Sequence, residues 1–236
     1  MKAHDSTRED VIKLIQEKKI KIVNLCHIPD DCRIKTLSFM AENKERIREI
    51  LEFGERVDGS SLFSYIDPKS SDIYIMPKFE TAFINPFSLM PTLNVLCEYL
   101  DENGKPLDVA PQNILSRAEE KLHASTGITL KALAELEFYI VNKQENAVFH
   151  RLSERNYHES APLAGFEDIR NEVLVSLADI GIATKYGHAE VGRFCSKSGH
   201  VMEQHEIEFL PQKLSKMAEN VTIAKWAIRN ICVKYG

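Results

Sequence analysis

The stretch LAELEFYIV, residues 133–141, decides how this chain is read. It has the length of a strand and enough β-branched and aromatic residues to form one. Alternation then puts Ala134, Leu136, Phe138 and Ile140 on one face, and Leu133, Glu135, Glu137, Tyr139 and Val141 on the other. The second face is the unusual one. Two carboxylates point the same way between large apolar side chains, and no Lys or Arg stands within the segment. Ionised groups are costly to shelter unless something pairs with them, and an oxygen-loving divalent cation would serve. Taken alone, an exposed edge strand with two solvated glutamates fits the pattern at least as well, so the choice falls to the rest of the chain.

Two later segments repeat the pattern. In residues 185–192, His188 and Glu190 share a face; in residues 202–209, Gln204, Glu206 and Glu208 share one, with Ile207 and Phe209 opposite. If these faces line one cavity, it contains Glu135, Glu137, Glu190 and Glu206. Four clustered carboxylates repel one another and retain protons unless cations neutralise them. Hard oxygen donors suit Mg²⁺ or Mn²⁺ rather than zinc, and such sites commonly handle nucleotide phosphates. No Walker or Rossmann glycine pattern is present, which is consistent with phosphate held through metals. His188 reads as a polar neighbour of the site rather than a ligand, because oxygen ligands dominate such centres.

Composition narrows the class. The 236 residues allow one or two domains and can bury about 70% of the unfolded surface without staples. A hydrophobic share of 44% with 28% charged residues is that of a soluble globular protein. The net charge of −5, with no basic block, argues against a nucleic-acid partner. Five cysteines (Cys26, Cys32, Cys97, Cys195, Cys232) without CxxC spacing exclude a disulfide framework or zinc cluster and read as buried small residues. The start MKAHDSTRED lacks a signal-peptide apolar core and no apolar run reaches membrane-spanning length, so a cytoplasmic location is expected.

Ser6 and Glu9 suggest a capping box for a first helix ending near Lys18. Strands are expected over 20–28 and 33–40 about a Pro29-Asp30-Asp31 turn, and a helix over 42–53. Short strands follow at 63–66, 72–77 and 92–99, the last closed as a hairpin by the 102–105 turn. A helix over 111–125, with Pro111 in its first turn and Gly127 past its end, opens a change of texture. Beyond the carboxylate strand lie an irregular stretch, 142–164, in which His158 reads as a loop residue, and an amphipathic helix over 166–180. Strands over 183–191 and 201–209 flank a loop that includes His200. A long helix over 212–235 closes the sequence, with Leu214, Met217, Val221, Ala224, Ile228, Ile231 and Tyr235 inward and Trp226 a core or subunit-contact residue. A helix–strand alternation of this kind is expected to continue beyond Gly236.

Five motifs, in order, carry a resemblance to the N-terminal half of glutamine synthetases of the bacterial type I group. They are Val57-Asp58-Gly59-Ser60-Ser61; Ser71-Asp72-Ile73-Tyr74-Ile75-Met76-Pro77 followed by Thr81; Glu135-Leu136-Glu137-Phe138-Tyr139; His188-Ala189-Glu190-Val191; and Glu203-Gln204-His205-Glu206-Ile207. Each is short, but their order and rough spacing are hard to obtain by chance. The resemblance implies an α+β chain: a β-grasp domain over 1–107, then the first part of an α/β catalytic domain over 108–236. It makes Glu135, Glu137, Glu190 and Glu206 ligands of paired Mg²⁺ or Mn²⁺ ions. It puts Asp58, supported by Ser61, in a neighbouring subunit's active site, where it deprotonates ammonium; otherwise Asp58-Gly59 is only a turn signal. The implied reaction is attack of glutamate's side-chain carboxylate on the γ-phosphate of ATP, then displacement of phosphate by ammonia, in a ring-forming homo-oligomer.

The chain departs from that pattern. Ala189 stands where the family usually has a His, and Lys185 where it has an acidic nucleotide contact. The interval from Glu190 to Glu206 is also longer than in better-known members. The family's glutamate and ammonia loops, a metal-binding His and its phosphate-binding arginines would fall beyond Gly236. Two other expectations therefore stand beside the ligase: a non-catalytic relative that oligomerises or regulates, and a related ligase that uses another amine.

Overall fold

The computed structural model describes residues 7–143 and 153–236. The chain forms two compact units, Met1–Thr129 and Leu130–Gly236.

In the first unit, α1 (Arg8–Glu17) begins at Thr7, whose side chain accepts from Asp10 N while the Asp10 carboxylate accepts from Thr7 N. The capping box thus lies one residue later than expected from Ser6 and Glu9, and Ser6 is outside the described residues. Next come β1 (Ile22–His27), β2 (Lys35–Met40), α2 (Lys44–Phe53), β3 (Glu55–Asp58), β4 (Asp72–Pro77), β5 (Phe83–Ile84), β6 (Thr92–Leu100) and α3 (Pro111–Thr126). The sheet order is β2-β1-β6-β4-β3, with β5 also on β6. β1 and β6 are parallel and every other pair is antiparallel, the mixed sheet of the expected β-grasp. Val11 and Ile15 of α1 and Ile47, Ile50 and Leu51 of α2 share one core with Val23, Leu25, Ile73, Ile75, Leu93 and Val95 of the sheet. α3 stops at Gly127, whose left-handed φ of 72° lets its N–H close on His123. Asn113 of this helix donates to the carbonyls of Tyr99 and Leu107, so contacts group α3 with the first unit.

Three expectations in this unit are corrected. Residues 63–66 are not a strand, because the Asp58 side chain caps a 3₁₀ turn, Gly59–Ser61, and Phe63 and Ile66 continue in turn-type hydrogen bonds. The strand there is β3, immediately upstream. The 102–105 turn forms, with Asp101 accepting from Asn103 N and Lys105 N, but its hairpin is reduced to one bridge between Leu100 and Pro106. Only Cys26 and Cys97 are buried, the former's thiol pushed up to about 12 by burial; Cys32 and Cys195, in a turn and at a strand end, are exposed.

The second unit contains β7 (Lys131–Ala132), β8 (Glu135–Lys143), α4 (Glu167–Asp179), β9 (Thr184–Cys195), β10 (His200–Phe209), β11 (Gln212–Lys213) and α5 (Leu214–Tyr235). β10 lies between antiparallel β8 and β9, and β7 pairs with β11. α4 packs on both β9 and α5, and Val173, Leu177, Ala189, Ile207, Phe209, Ala224 and Ile231 are fully or almost fully buried. His200 is the first residue of β10 rather than a loop residue. Tyr235, expected inward, is exposed because its hydroxyl donates to Glu172 at the surface. Trp226 is half-buried. Among the described residues, no helix is long and apolar enough to cross a membrane.

Thr81, singled out by its motif, ties the end of β4 to β6. Its hydroxyl donates to Lys78 O at 2.6 Å and accepts from the buried Leu96 N at 2.9 Å. Thr81→Val strands that peptide N–H and is expected to cost about 1–3 kcal/mol, read as a lower urea midpoint at unchanged slope. Thr81→Ser should retain most of the stability.

Candidate metal centre

The register of β10 assembles the site. Glu206 lies opposite Glu137 on β8 and His188 on β9, Glu208 opposite Glu135 and Tyr186, and Gln204 opposite Tyr139. All these side chains therefore occupy one face of the sheet. Past His188 the pairing slips from Ala189 opposite His205 to Arg193 opposite Glu203, so β9 carries extra residues there. This bulge holds Glu190 beside the face, and one ligand atom each of His188, Glu190 and Glu206 lies within 4.8 Å of the others.

Hydrogen bonding fixes how His188 is presented. Its Nδ1 is 2.9 Å from Ala189 O, and a carbonyl only accepts, so Nδ1 carries hydrogen and Nε2 faces Glu206 Oε2 at 3.6 Å. Glu206 is only 8% exposed. Burial raises its carboxyl above the ordinary value, His188 opposes that, and Glu135, Glu137 and Glu190 add to it. Of the four glutamates anticipated from the sequence, Glu190 and Glu206 come within ligand distance of each other, joined by His188, which the sequence reading had set aside as a polar neighbour; Glu135 and Glu137 act on Glu206 through charge but lie outside that group. Glu135 and Glu137 themselves are exposed on β8. Val191 N–H donates to Glu190 Oε2 at 2.6 Å, fixing one of its oxygens.

A fifth carboxylate behaves differently. Lys185 Nζ lies 2.8 and 3.0 Å from the two oxygens of Glu208 and holds that carboxyl below its ordinary value. The Lys185 that departs from the family pattern therefore already neutralises a neighbour. Among the described residues, Glu135, Glu137, Glu190 and Glu206 are ion-paired to no Lys or Arg.

The reverse face of β10 holds a charge lattice that the sequence reading missed. Glu203 and His205 are fully buried; Arg193 Nε is 3.3 Å from Glu203 Oε2, and Gly165 N donates to the same oxygen at 3.0 Å. His205 Nε2 lies 3.1 Å from Glu203 Oε1 without hydrogen-bond alignment, while its Nδ1 is 3.4 Å from buried Arg170. His205 stands directly across from Ala189, so β10 puts an imidazole next to the place where the family's β9 usually has one.

A loop also adds groups the sequence did not signal. Glu154, Asn156 and His158 N–H groups donate to the carbonyls of Arg193, Val191 and Ala189 along the free edge of β9. This brings the His158 ring, read as a plain loop residue, to 4.3 Å from His188, with Tyr157 stacked on it at 4.0 Å. A Tyr-His pair in an irregular stretch was the only sequence trace of this arrangement.

Asp58 and Ser61 belong to the first unit. Asp58 Oδ1 accepts from Ser60 N and Ser60 Oγ, and Oδ2 accepts from Ser61 Oγ at 2.7 Å. Those hydroxyls, Ser61 first, then Ser60 and Ser71, hold the exposed Asp58 carboxyl far below the usual carboxylate range.

Two family models match the chain: glutamine synthetase, beta-Grasp domain, over residues 20–102, and glutamine synthetase, catalytic domain, over residues 108–236. Glutamine synthetase of Thermotoga maritima is 26% identical over 234 residues, 98% of this chain and 50% of that protein. 3-Hydroxylaminophenol mutase of Cupriavidus pinatubonensis is 28% identical over 258 aligned positions, 96% of this chain and 52% of that protein. In fold, the chain matches the GmaS/ADP complex in its conformation 1 at a TM-score of 0.78 and 16% identity, covering 96% of this chain and 50% of that one. The chain spans about half the length of the relatives it matches. With its β-grasp sheet followed by the first part of the catalytic domain, the chain belongs to the glutamine synthetase family.

Proposed function

We propose that this chain supplies the N-terminal portion of an ATP-dependent glutamate–ammonia ligase, with Glu135, Glu137, Glu190 and Glu206 as ligands of two or more Mg²⁺ or Mn²⁺ ions. The observation that carries the reading is the grouping of His188, Glu190 and Glu206 on a face that also bears Glu135 and Glu137, where among the described residues no Lys or Arg pairs with these four glutamates, while the fifth, Glu208, has Lys185. The donor set fits such ions: oxygens in number, one imidazole nitrogen from His188 among them, and a buried Glu206 whose carboxyl is raised first by burial and further by the neighbouring glutamates. Bound there, the ions would offset charge developing on phosphoryl oxygens.

In this reading glutamate's side-chain carboxylate attacks the γ-phosphate of ATP and ammonia then displaces phosphate. Asp58 takes the proton from ammonium in a neighbouring subunit's active site. Its hydrogen bonds to Ser60 and Ser61 support that part only by orienting the carboxylate on an exposed loop, since the same bonds make it a weaker proton acceptor. Sites shared in this way require head-to-tail contacts, hence a homo-oligomeric ring, and the expected location is the cytoplasm.

A second reading keeps the fold and changes the chemistry: a ligase using another amine, or a non-catalytic oligomerising relative. Two observations favour weighing it. Lys185 is committed to Glu208 where the family has an acidic nucleotide contact, and a relative as similar as the synthetases is named a mutase. Assays of ADP release with glutamate plus ammonium, then with a panel of amines, separate these readings. Release only with ammonium supports the first, and release with another amine supports the second.

Two outcomes are expected of the 236-residue chain itself. Mn²⁺ should raise its melting temperature, and Glu135→Ala combined with Glu206→Ala should abolish the rise; no shift in the unaltered protein would remove the proposed centre. Ser61→Ala should move the Asp58 carboxyl upward in a ¹³C NMR titration. Because the folded value lies below the unfolded one, Asp58 contributes stability above about pH 4 that is lost as pH falls toward the folded value, and the variant should lose less on acidification.

A further inference from the structure

Gln204 joins all three strands of the carboxylate sheet. Its Oε1 accepts from Gly192 N on β9 at 3.1 Å and from the Tyr139 hydroxyl on β8 at 3.4 Å, while its Nε2 donates to Glu137 Oε2 at 2.6 Å. The amide orientation follows from chemistry. A peptide N–H can only donate, so the oxygen must face Gly192 and the NH₂ must face the carboxylate. Gly192 is the residue that permits this approach. A Cβ there would lie 2.2 Å from the Tyr139 hydroxyl and 2.6 Å from Gln204 Oε1, inside contact distance of both. The bulge in β9 and the glycine within it therefore deliver one N–H to one side-chain oxygen.

We infer that Gln204 is a positioning residue for Glu137, oriented in turn by Gly192 and Tyr139. The inference rests on the metal reading of the carboxylate face. Glu137 is exposed and on an edge strand, so by itself its side chain is free to rotate. The Gln204 amide holds one of its oxygens, Oε2, at 2.6 Å and so limits the orientations open to the carboxylate. Hydrogen-bond partners one step out from a metal typically contribute 10–100-fold to its affinity through the ligands they orient. Tyr139 also packs on Phe194 of β9 at 5.4 Å, which steadies the hydroxyl donor.

The test is a Mn²⁺ titration of the 236-residue chain followed by the EPR signal of the free ion, with melting curves of the metal-free proteins alongside. Gln204→Ala and Gly192→Ala should each weaken Mn²⁺ binding about tenfold or more, and Tyr139→Phe less, with metal-free melting temperatures close to that of the unaltered protein. Unaltered protein that binds Mn²⁺ while Gln204→Ala binds it equally well overturns this inference and leaves the metal reading intact. Unaltered protein that takes up no Mn²⁺ overturns the metal reading and this inference with it. Should Gln204→Ala not fold, the side-chain amide resonances of Gln204 decide the matter: they should respond to Glu137→Ala, and indifference to that change overturns the proposal.

Discussion

The structure of the second unit turns on how β10 carries charge on both of its faces. Glu203 and His205 point one way, Glu206 and Glu208 the other, and all four are more than nine-tenths buried. A strand with ionisable groups on both sides is stable only where each side has its own compensation. The reverse side is compensated within the chain: Arg193 and the Gly165 peptide on Glu203, and Arg170 beside His205. On the front side, the Lys or Arg pairing found among the described residues is at its end, Lys185 on Glu208. Glu206 is left among Glu135, Glu137 and Glu190, with His188 opposing them. That asymmetry within one strand is the ground of the proposed metal centre.

Much of this was legible because strand periodicity of two is a strong constraint. Alternation in residues 133–141 assigned Glu135 and Glu137 to one face, and in residues 202–209 it assigned Glu206 and Glu208 likewise; the pairing of β10 with β8 joins those faces residue by residue. Helices with clear stop signals were also readable, as at Gly127. What alternation cannot supply is an irregular register. The slip beside Glu190 depends on Gly192 meeting Tyr139 and Gln204, a three-strand contact with no one-dimensional trace. The Glu203–Arg193–His205–Arg170 lattice escaped for a related reason: its members come from β9, β10 and α4, and each reads alone as an ordinary surface charge. Residues 63–66 were misread because apolar, aromatic residues suit a strand locally, whereas the Asp58 cap commits the backbone to a turn before Phe63 is reached.

The departures from the family pattern gain a physical account from the same geometry. Ala189 is fully buried and faces His205 across the ladder, so a larger residue at 189 would compete with that imidazole for space. Lys185 and Glu208 are similarly a matched pair: an acid at 185 would face Glu208 across the strands, and Lys converts repulsion into an ion pair held by two contacts. Each unusual residue thus has its complement on the neighbouring strand. Lys185 and Glu208 stand at the carboxylate face, whereas Ala189 and His205 lie on the reverse face, so only the first pair bears on the charge around Glu206. With Lys185 committed to Glu208, no Lys or Arg among the described residues pairs with Glu135, Glu137, Glu190 or Glu206, and that imbalance of charge is what the proposed metal centre rests on.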